Sequence, residues 1–481
     1  MTESFAVNFA IAAPEVFLAV ATMGLLVAGV IMGDKSARLI TWLALATLAG
    51  YAALALAGLA NGAGAAFSGA LVADRFAVFA KVVIAIGAGL TLLLSDSFMQ
   101  KEKLSRFEFP VLGLLAVLGM GMMVSAGDII AVYMGIELQS LALYVMAAFN
   151  RDSLRSSEAG LKYFVLGALS SGLLLYGLSL IFGATGATDF DSIAAALAQE
   201  ESLMFTIGLV FAISGLAFKV SAAPFHMWTP DVYEGAPTPV TAFLAAAPKF
   251  AAMALFARVL VGPFGEFIGD WQQVIVALAG ISIGVGVFGA LAQSNIKRLM
   301  AYSSIANMGY ALMGLAAGTQ NGVNGLLIYM TIYLLSVIGV FACILAMRRK
   351  DGMVEQIDDL AGLSQTNPGI AVALSMLMLS VAGLPPFAGF IAKLYVFMAA
   401  LDAGLVLLAV FAALGTVVGA FYYLRIVKLI WFDEPAQGFV RPGRTVAYTA
   451  FGSAALAFPI LVVFIFPLIS QAGAAASALF S

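Results

Sequence analysis

The amino-acid sequence predicts an all-α polytopic membrane protein of about 14 transmembrane helices, with two inverted five-helix repeats (helices 4–8 and 9–13) and broken helices 7 and 12. Three observations predict it. Of the 481 residues, 63% are hydrophobic and 10% charged, with a mean hydropathy of +1.05, whereas soluble domains carry about 25% charged residues. Apolar stretches of about 20 residues, enough to cross a bilayer, recur along the chain. Lys and Arg concentrate in alternate loops. The composition excludes a soluble globular protein, a disordered chain and a disulfide scaffold. A net charge of −3 gives no footing to a nucleic-acid partner.

The expected spans, in order, are 14–32, 39–59, 74–94, 109–125, 128–149, 158–182, 203–234, 240–260, 272–292, 299–317, 322–347, 369–400, 404–430 and 446–469. The first 13 residues hold Glu3 and no Lys or Arg, so they lack the basic n-region of a cleavable signal peptide. The chain 1–481 reads as one transmembrane domain: three helices within 1–108, a first repeat at 109–260, a second at 272–430 and a last helix at 446–470. Two spans are too long to be plain crossings. The stretch 203–234 contains Pro224 and Pro230, and 369–400 contains Gly383, Pro385, Pro386 and Gly389. An interior proline removes a backbone donor and clashes with the preceding turn, so both helices should break. Lying five spans apart, they run antiparallel, as inverted repeats require. Lys and Pro occur in opposite order in the two, so local sequence alone does not establish the symmetry.

Sixteen of the eighteen Lys and Arg in the loops and at their flanks fall after odd-numbered helices, from Lys35 and Arg38 to Arg441 and Arg444. Only Arg75 and Arg258 lie on the other side. Cytoplasmic loops carry such an excess, which puts both termini outside.

The remaining five basic residues are all lysines within spans: Lys81, Lys162, Lys219, Lys249 and Lys393. Glu137 is the one acid expected deep in a span. Six mid-membrane charges cost about 15–20 kcal/mol if ionised and unpaired, more than packing alone would retain. Arg stays charged, whereas Lys can give up its proton. Five lysines against one Glu allow at most one ion pair, so the row suits proton transfer better than static bridging. Lys219, Lys249, Lys393 and Glu137 are therefore the candidate path residues. Lys81, close to Asp74 and Arg75, reads as snorkelling to the outer interface. Lys162 reads either as an interface anchor or as a path residue. His226, at a helix break, reads either as a cap for freed carbonyls or as a proton relay. Lys219 precedes Pro224, Lys249 follows Pro248 and Lys393 follows Pro385-Pro386; broken helices hold water or charge at membrane depth where they line a cavity.

Other motifs carry less. Gly284, Gly286 and Gly289 match GxGxxG but lie in an apolar span, where they read as a close-packing face. Cys343 is the only cysteine, and no Walker sequence, CxxC or haem-type His pair occurs. Moving a charge against 100 mV takes about 2.3 kcal/mol, so a pump of this kind draws its energy from a partner.

The stretches FKVSAAPFHMWTPDVYEGAP at 218–237 and NIKRLMAYSSI at 295–305 resemble the antiporter-like membrane subunits of respiratory complex I, and the resemblance runs from the fourth helix through the thirteenth. It implies fourteen helices with two inverted repeats. It also implies a Glu in helix five paired with a Lys in helix seven, then a Lys in helix eight and a Lys or Glu in helix twelve. Here those are Glu137, Lys219, Lys249 and Lys393. Lys at the last position departs from an M-like branch, the absence of a long C-terminal lateral helix departs from an L-like one, and PFHMWTPD favours the third branch. Asn307 stands where relatives often have His and is given no relay role. The implied function is proton translocation in the membrane arm of an NADH–quinone oxidoreductase, in a bacterial inner membrane with both termini periplasmic. NADH, FMN, iron–sulfur clusters and quinone would belong to partner subunits and none to this chain. The implied partners are an M-like antiporter subunit, small K-, J- and A-like subunits, the lateral helix of an L-like subunit, and lipids. Two other classes stay open: an Mrp-type cation/proton antiporter subunit, and a structural membrane-arm subunit that moves no protons.

Overall fold

Helices follow one another almost without interruption. The computed structural model describes residues 2–60, 62, 64–198 and 202–480, so Met1 and Ser481, the two ends of the expected unit, lie outside the described residues. The N-terminal block holds α1 (Thr2–Ile11), α2 (Ala13–Met32), α3 (Ala37–Ala60) and α4 (Arg75–Lys101). Next come α5 (Glu108–Val124), α6 (Ile129–Ala147), α7 (Leu154–Thr185), α8 (Phe190–Leu197), α9 (Leu203–Val220), α10 (Trp228–Gly235), α11 (Thr238–Ala245) and α12 (Ala247–Val261). Then follow α13 (Ile268–Leu291), α14 (Ile296–Ala316), α15 (Gln320–Leu345), α16 (Leu363–Thr366), α17 (Pro368–Ala382), α18 (Ala388–Asp402) and α19 (Val406–Phe432). The chain closes with α20 (Arg444–Ala455) and α21 (Leu461–Ser477), joined by a π-helical turn. Among the described residues, ten helical segments are long and apolar enough to cross a membrane.

Side chains that satisfy the orphan amides of a first turn set where helices start. Asp74 accepts from Ala77 N at 2.7 Å, Asp128 from Ile130 N at 2.6 Å, and Asn295 from Lys297 N at 2.9 Å. Glycines let neighbouring helices touch backbone to backbone. A Cβ at Gly119 would stand 2.5 Å from Gln139 N, joining α5 to α6; at Gly177, 2.5 Å from Ala212 N, joining α7 to α9. At Gly286 it would stand 2.4 Å from Ala306 N and at Gly289 2.4 Å from the Tyr302 ring, so these two glycines pack α13 on α14. Gly284 meets only Phe411, at 3.6 Å.

Burial sorts the helices. The α11–α12 segment is wholly buried and α15 almost so, whereas only a minority of the residues of α2, α3 and α19 are buried. The chemistry therefore sits around a central core of α9–α12, α14, α15, α17 and α18.

The expected long spans are interrupted. The stretch 203–234 divides into α9 and α10, and 369–400 into α17 and α18; each gap contains a cis X–Pro bond, Ala223–Pro224 and Pro385–Pro386. A third break falls at Ala246 (φ −107°, ψ −95°), the N-cap of α12, so that Pro248 lies in the first turn of that helix, where its missing N–H forfeits no helical hydrogen bond. Two antiparallel hairpins were not anticipated, β1 (Gly64–Ala66) with β2 (Leu71–Ala73) and β3 (Arg348–Arg349) with β4 (Gly352–Met353), nor were α1 and α8.

Lys81 overturns its expectation. It does not snorkel: it is 1% exposed and its ammonium lies 2.6 Å from the carboxylate of Glu15 on α2. Glu15 is itself buried, and the Tyr51 hydroxyl of α3 lies against it. The expectation of at most one ion pair also fails, since Lys162 is paired as well.

Candidate functional site

The first break begins where α9 stops. Its C-cap, Ser221, adopts a left-handed conformation (φ 63°), so the chain turns away and carbonyls of the last turn lose their helical donors. Lys219, in that last turn, is buried and donates to Ser140 Oγ of α6 at 2.7 Å, with Ser171 Oγ at 3.4 Å and the Tyr144 hydroxyl at 3.5 Å. Three hydroxyls thus replace its water shell. Glu137 lies one turn before Ser140 on α6, with Oε1 buried and without a hydrogen-bond partner. Among the described residues no carboxylate oxygen comes within 4.0 Å of the Lys219 ammonium. The two residues share a site but not a direct ion pair.

Lys249 approaches the same break from α12. It is 1% exposed, donates to Val220 O at 3.1 Å and also to Ser221 Oγ. Its ammonium faces the rings of Trp228, 5.5 Å away, and Tyr233, 5.8 Å away. Trp228 is fixed by stacking on Tyr163 at 4.4 Å and by its indole N–H donating to Phe218 O at 3.1 Å. Lys219 and Lys249 therefore occupy neighbouring sites around one broken helix end.

Lys393 repeats the arrangement at the second break. Gly383, at φ 81°, ends α17; Lys393, from α18, reaches back and donates to Ala382 O at 2.8 Å. Its ammonium sits 4.5 Å over the Tyr310 ring. Beside it is a small cavity of about 20 Å³, bordered by Asn307, Tyr329, Tyr333, Ser336 and Ser380. The C-terminal end of a helix presents partial negative charge, so Lys249 at the end of α9 and Lys393 at the end of α17 both use peptide dipoles where an acid would otherwise be needed.

His226 lies in the loop between α9 and α10, half-buried, with Nδ1 buried and unpartnered. No hydrogen bond joins it to a lysine among the described residues. Lys162 is partly exposed and bridges Glu158 and Asp231, both at 2.8 Å. It thereby joins a network that sequence reasoning missed. Asp231 also meets Arg298 at 2.7 Å, Arg298 meets Glu234 at 3.0 Å, and Glu234 meets Arg155 at 3.1 Å. Arg155 meets Glu355 at 2.8 Å, and Glu355 meets the buried Lys297 at 3.0 Å. Lys297 and Arg298 carried a signal only as loop charges. In the fold they fasten the α7–α10 side of the molecule to α14 and to the loop after α15. A cleft of about 190 Å³ opens among Arg155, Glu158, Lys162, Asp231 and Glu234.

Comparison with known proteins gives the family. Residues 126–419 match the family described as "NADH:quinone oxidoreductase/Mrp antiporter, TM". The NADH-quinone oxidoreductase subunit N of Maricaulis maris is 58% identical, over 93% of each chain. That of Rhizobium meliloti, subunit N 1, is 55% identical over 91% of this chain and 92% of its own. Among solved structures, a chain of respiratory complex I from Thermus thermophilus with bound Aureothin superposes with a TM-score of 0.80 at 33% identity, covering 94% of this chain and 98% of that one. A chain of the Mrp complex from Dietzia sp. shares the fold, with a TM-score of 0.84 at 24% identity, over 98% of this chain and 97% of its own.

Proposed function

The chain belongs to the NADH:quinone oxidoreductase/Mrp antiporter family of transmembrane subunits, and from that premise we propose that it carries protons along Glu137, Lys219, Lys249 and Lys393 within an NADH–quinone oxidoreductase. The observation that carries this reading is the pair of helix breaks. At each break a buried lysine is held by freed carbonyls and hydroxyls, with no carboxylate within 4.0 Å among the described residues. An ammonium held this way is solvated when charged and leaves no stranded counter-charge when it gives up its proton. Glu137 sets the local field at the Lys219 end. Lys162 and the acidic residues around it line a cleft on the side where protons would be taken up, and His226 is a further relay candidate near the first break.

In this reading the chain makes fourteen crossings, with inverted repeats at 109–260 and 272–430, in a bacterial inner membrane with both termini periplasmic. An M-like antiporter subunit, small K-, J- and A-like subunits and the lateral helix of an L-like subunit are its neighbours. Redox energy comes from subunits that hold NADH, FMN, iron–sulfur clusters and quinone, so this chain is enzymatic only as part of the whole complex. Blocking an obligatory proton step should then slow the redox reaction that drives it. In vesicles, with subunit content checked by blotting, Lys219→Ala and Lys393→Ala should lower both NADH-driven quinone reduction and acidification by roughly tenfold or more. Lys219→Arg should also fail, because Arg keeps its proton. Unchanged rates in the Ala variants would leave the chain as a scaffold.

A further inference from the structure

Lys249 is enclosed by a helix that cannot place itself. Helix α10 has eight residues, WTPDVYEG. Helices shorter than about 12–15 residues are marginal alone, so the position of α10 is set by what grips it. Its two sides do different things. Trp228 and Tyr233 are buried and turn their rings to the Lys249 ammonium. Asp231 and Glu234, three residues apart and so on one face, are partly exposed and meet cations.

Those cations come from two directions. From α7, Lys162 reaches Asp231 at 2.8 Å and Arg155 reaches Glu234 at 3.1 Å. From α14, a single nitrogen of Arg298, Nη1, donates to Asp231 Oδ1 at 2.7 Å and to Glu234 Oε2 at 3.0 Å. Its neighbour Lys297 donates at 2.8 Å to the carbonyl of Ala236, the C-cap of α10. Glu355 then joins Lys297 to Arg155, at 3.0 and 2.8 Å, which closes the set into a ring. Exposed ion pairs stabilise little one at a time, so what this ring supplies is position. Arg298 is the link that α7 cannot replace. Without it both carboxylates keep a cation of α7, but the outer face of α10 is held from one side only.

We propose that Arg298 is a positioning residue for proton transfer at Lys249: by bridging Asp231 and Glu234 it fixes α10 so that Trp228 and Tyr233 close over the ammonium. The inference rests on the lysine path described above. A ring face attracts an ammonium and has no such attraction for a neutral amine, so the placing of the two rings governs how the site fills and empties. Rings and lysine belong to different helices, α10 and α12, and packing alone keeps the separations of 5.5 and 5.8 Å. Trp228 has ties that owe nothing to α14, its stack on Tyr163 and its bond to Phe218 O. Tyr233 directly precedes Glu234 in the chain, so it is the ring that follows the bridged carboxylates.

The test uses the assembled complex in vesicles and reads NADH-driven quinone reduction with acidification, relative to subunit content on blots. Arg298→Gln should lower both activities about tenfold, as expected for a reacting group misplaced by a fraction of an ångström. Arg298→Lys should keep most of the rate, because one ammonium carries three donors and can serve both carboxylates from the place of one nitrogen. Electron cryomicroscopy of the Arg298→Gln complex should find the Tyr233 ring withdrawn from its 5.8 Å separation from the Lys249 ammonium. Should Arg298→Gln fail to assemble, Glu234→Gln weakens the same bridge from the other side and carries the same expectations. Wild-type rates in Arg298→Gln, a loss that Arg298→Lys shares in full, or a slow variant with α10 in its native place would each overturn the proposal. Lys249→Ala is measured alongside. A slow Lys249→Ala beside a fast Arg298→Gln defeats the positioning role alone, whereas a fast Lys249→Ala defeats the path and the role together.

Discussion

Replacing Gly383 with alanine should disable Lys393 without touching it. The backbone there has φ 81°, which costs an L-residue about 1–2 kcal/mol. The new Cβ would stand 2.6 Å from Lys393 Cδ, 3.0 Å from Cε and 3.2 Å from Nζ. Comfortable carbon contacts begin at about 3.5 Å, so the lysine must withdraw by about 1 Å. It would then lose its 2.8 Å bond to Ala382 O; a hydrogen bond to a charged group contributes about 1.5–3 kcal/mol. A misplacement of about 1 Å can cost a reacting group about 100-fold. Gly383→Ala should therefore lower NADH-driven quinone reduction and acidification by about 10–100-fold in vesicles with normal subunit content. Gly404→Ala is the control: it has φ 76° but nothing within 4 Å of the added carbon, so it imposes the backbone strain and no clash. Wild-type turnover in Gly383→Ala, or an equal loss in Gly404→Ala, would refute the reasoning.

Three further outcomes are expected. Glu15→Gln or Lys81→Met leaves one unpaired charge in a buried pair, a loss of about 3–5 kcal/mol, so subunit content on blots should fall; the double variant Glu15→Met/Lys81→Met should recover much of it, and undiminished single variants would contradict the pairing. Glu137→Gln should slow proton transfer while the complex still assembles, and a cycle with Lys219→Arg should give a coupling of about 0.5–1 kcal/mol, the low end for residues in one network; strictly additive losses would separate the two sites. In the loop after α15, burial raises the Glu355 carboxyl, but Lys297, Arg155 and Asn295 outweigh it and hold the group below its usual 4.5. A lowered value stabilises the fold above the unfolded carboxyl's range and ceases to do so as pH falls through the folded one. Glu355→Gln should therefore lower the melting temperature near pH 7, and the difference from wild type should shrink as pH falls below the usual carboxyl value of 4.5; a difference that widens in acid would reverse that assignment.

How legible the molecule is in its sequence depends on what kind of signal each feature leaves. The helical membrane class follows from hydropathy, and the two long breaks follow from Pro224 and from the Gly383 to Pro386 run, because few residues interrupt a helix. Lys219, Lys249 and Lys393 stood out because a charge in a span is costly whatever surrounds it. Lys81 was misplaced because its partner, Glu15, sits near the start of another span, and distance along one helix gives no depth relative to the next. The direct Glu137–Lys219 bridge implied by resemblance is replaced by hydroxyl contacts from Ser140, Ser171 and Tyr144, residues too common to be singled out. Lys297 and Arg298 were spent on deciding orientation, so their pairing with Glu355 and Asp231 had no separate trace.

The carbonyls that hold the lysines have a use of their own. Lys249 rests on Val220 O and Lys393 on Ala382 O, so the charge of each side chain polarises one particular peptide bond. Losing the proton would strengthen that C=O and raise its stretching frequency, whereas a lysine paired with an acid would leave the backbone silent. Isotope-edited infrared spectroscopy, with ¹³C placed in the valine or alanine carbonyls, could then watch each site fill and empty in turn. The main chain doubles as a built-in vibrational voltmeter for the side chains it carries.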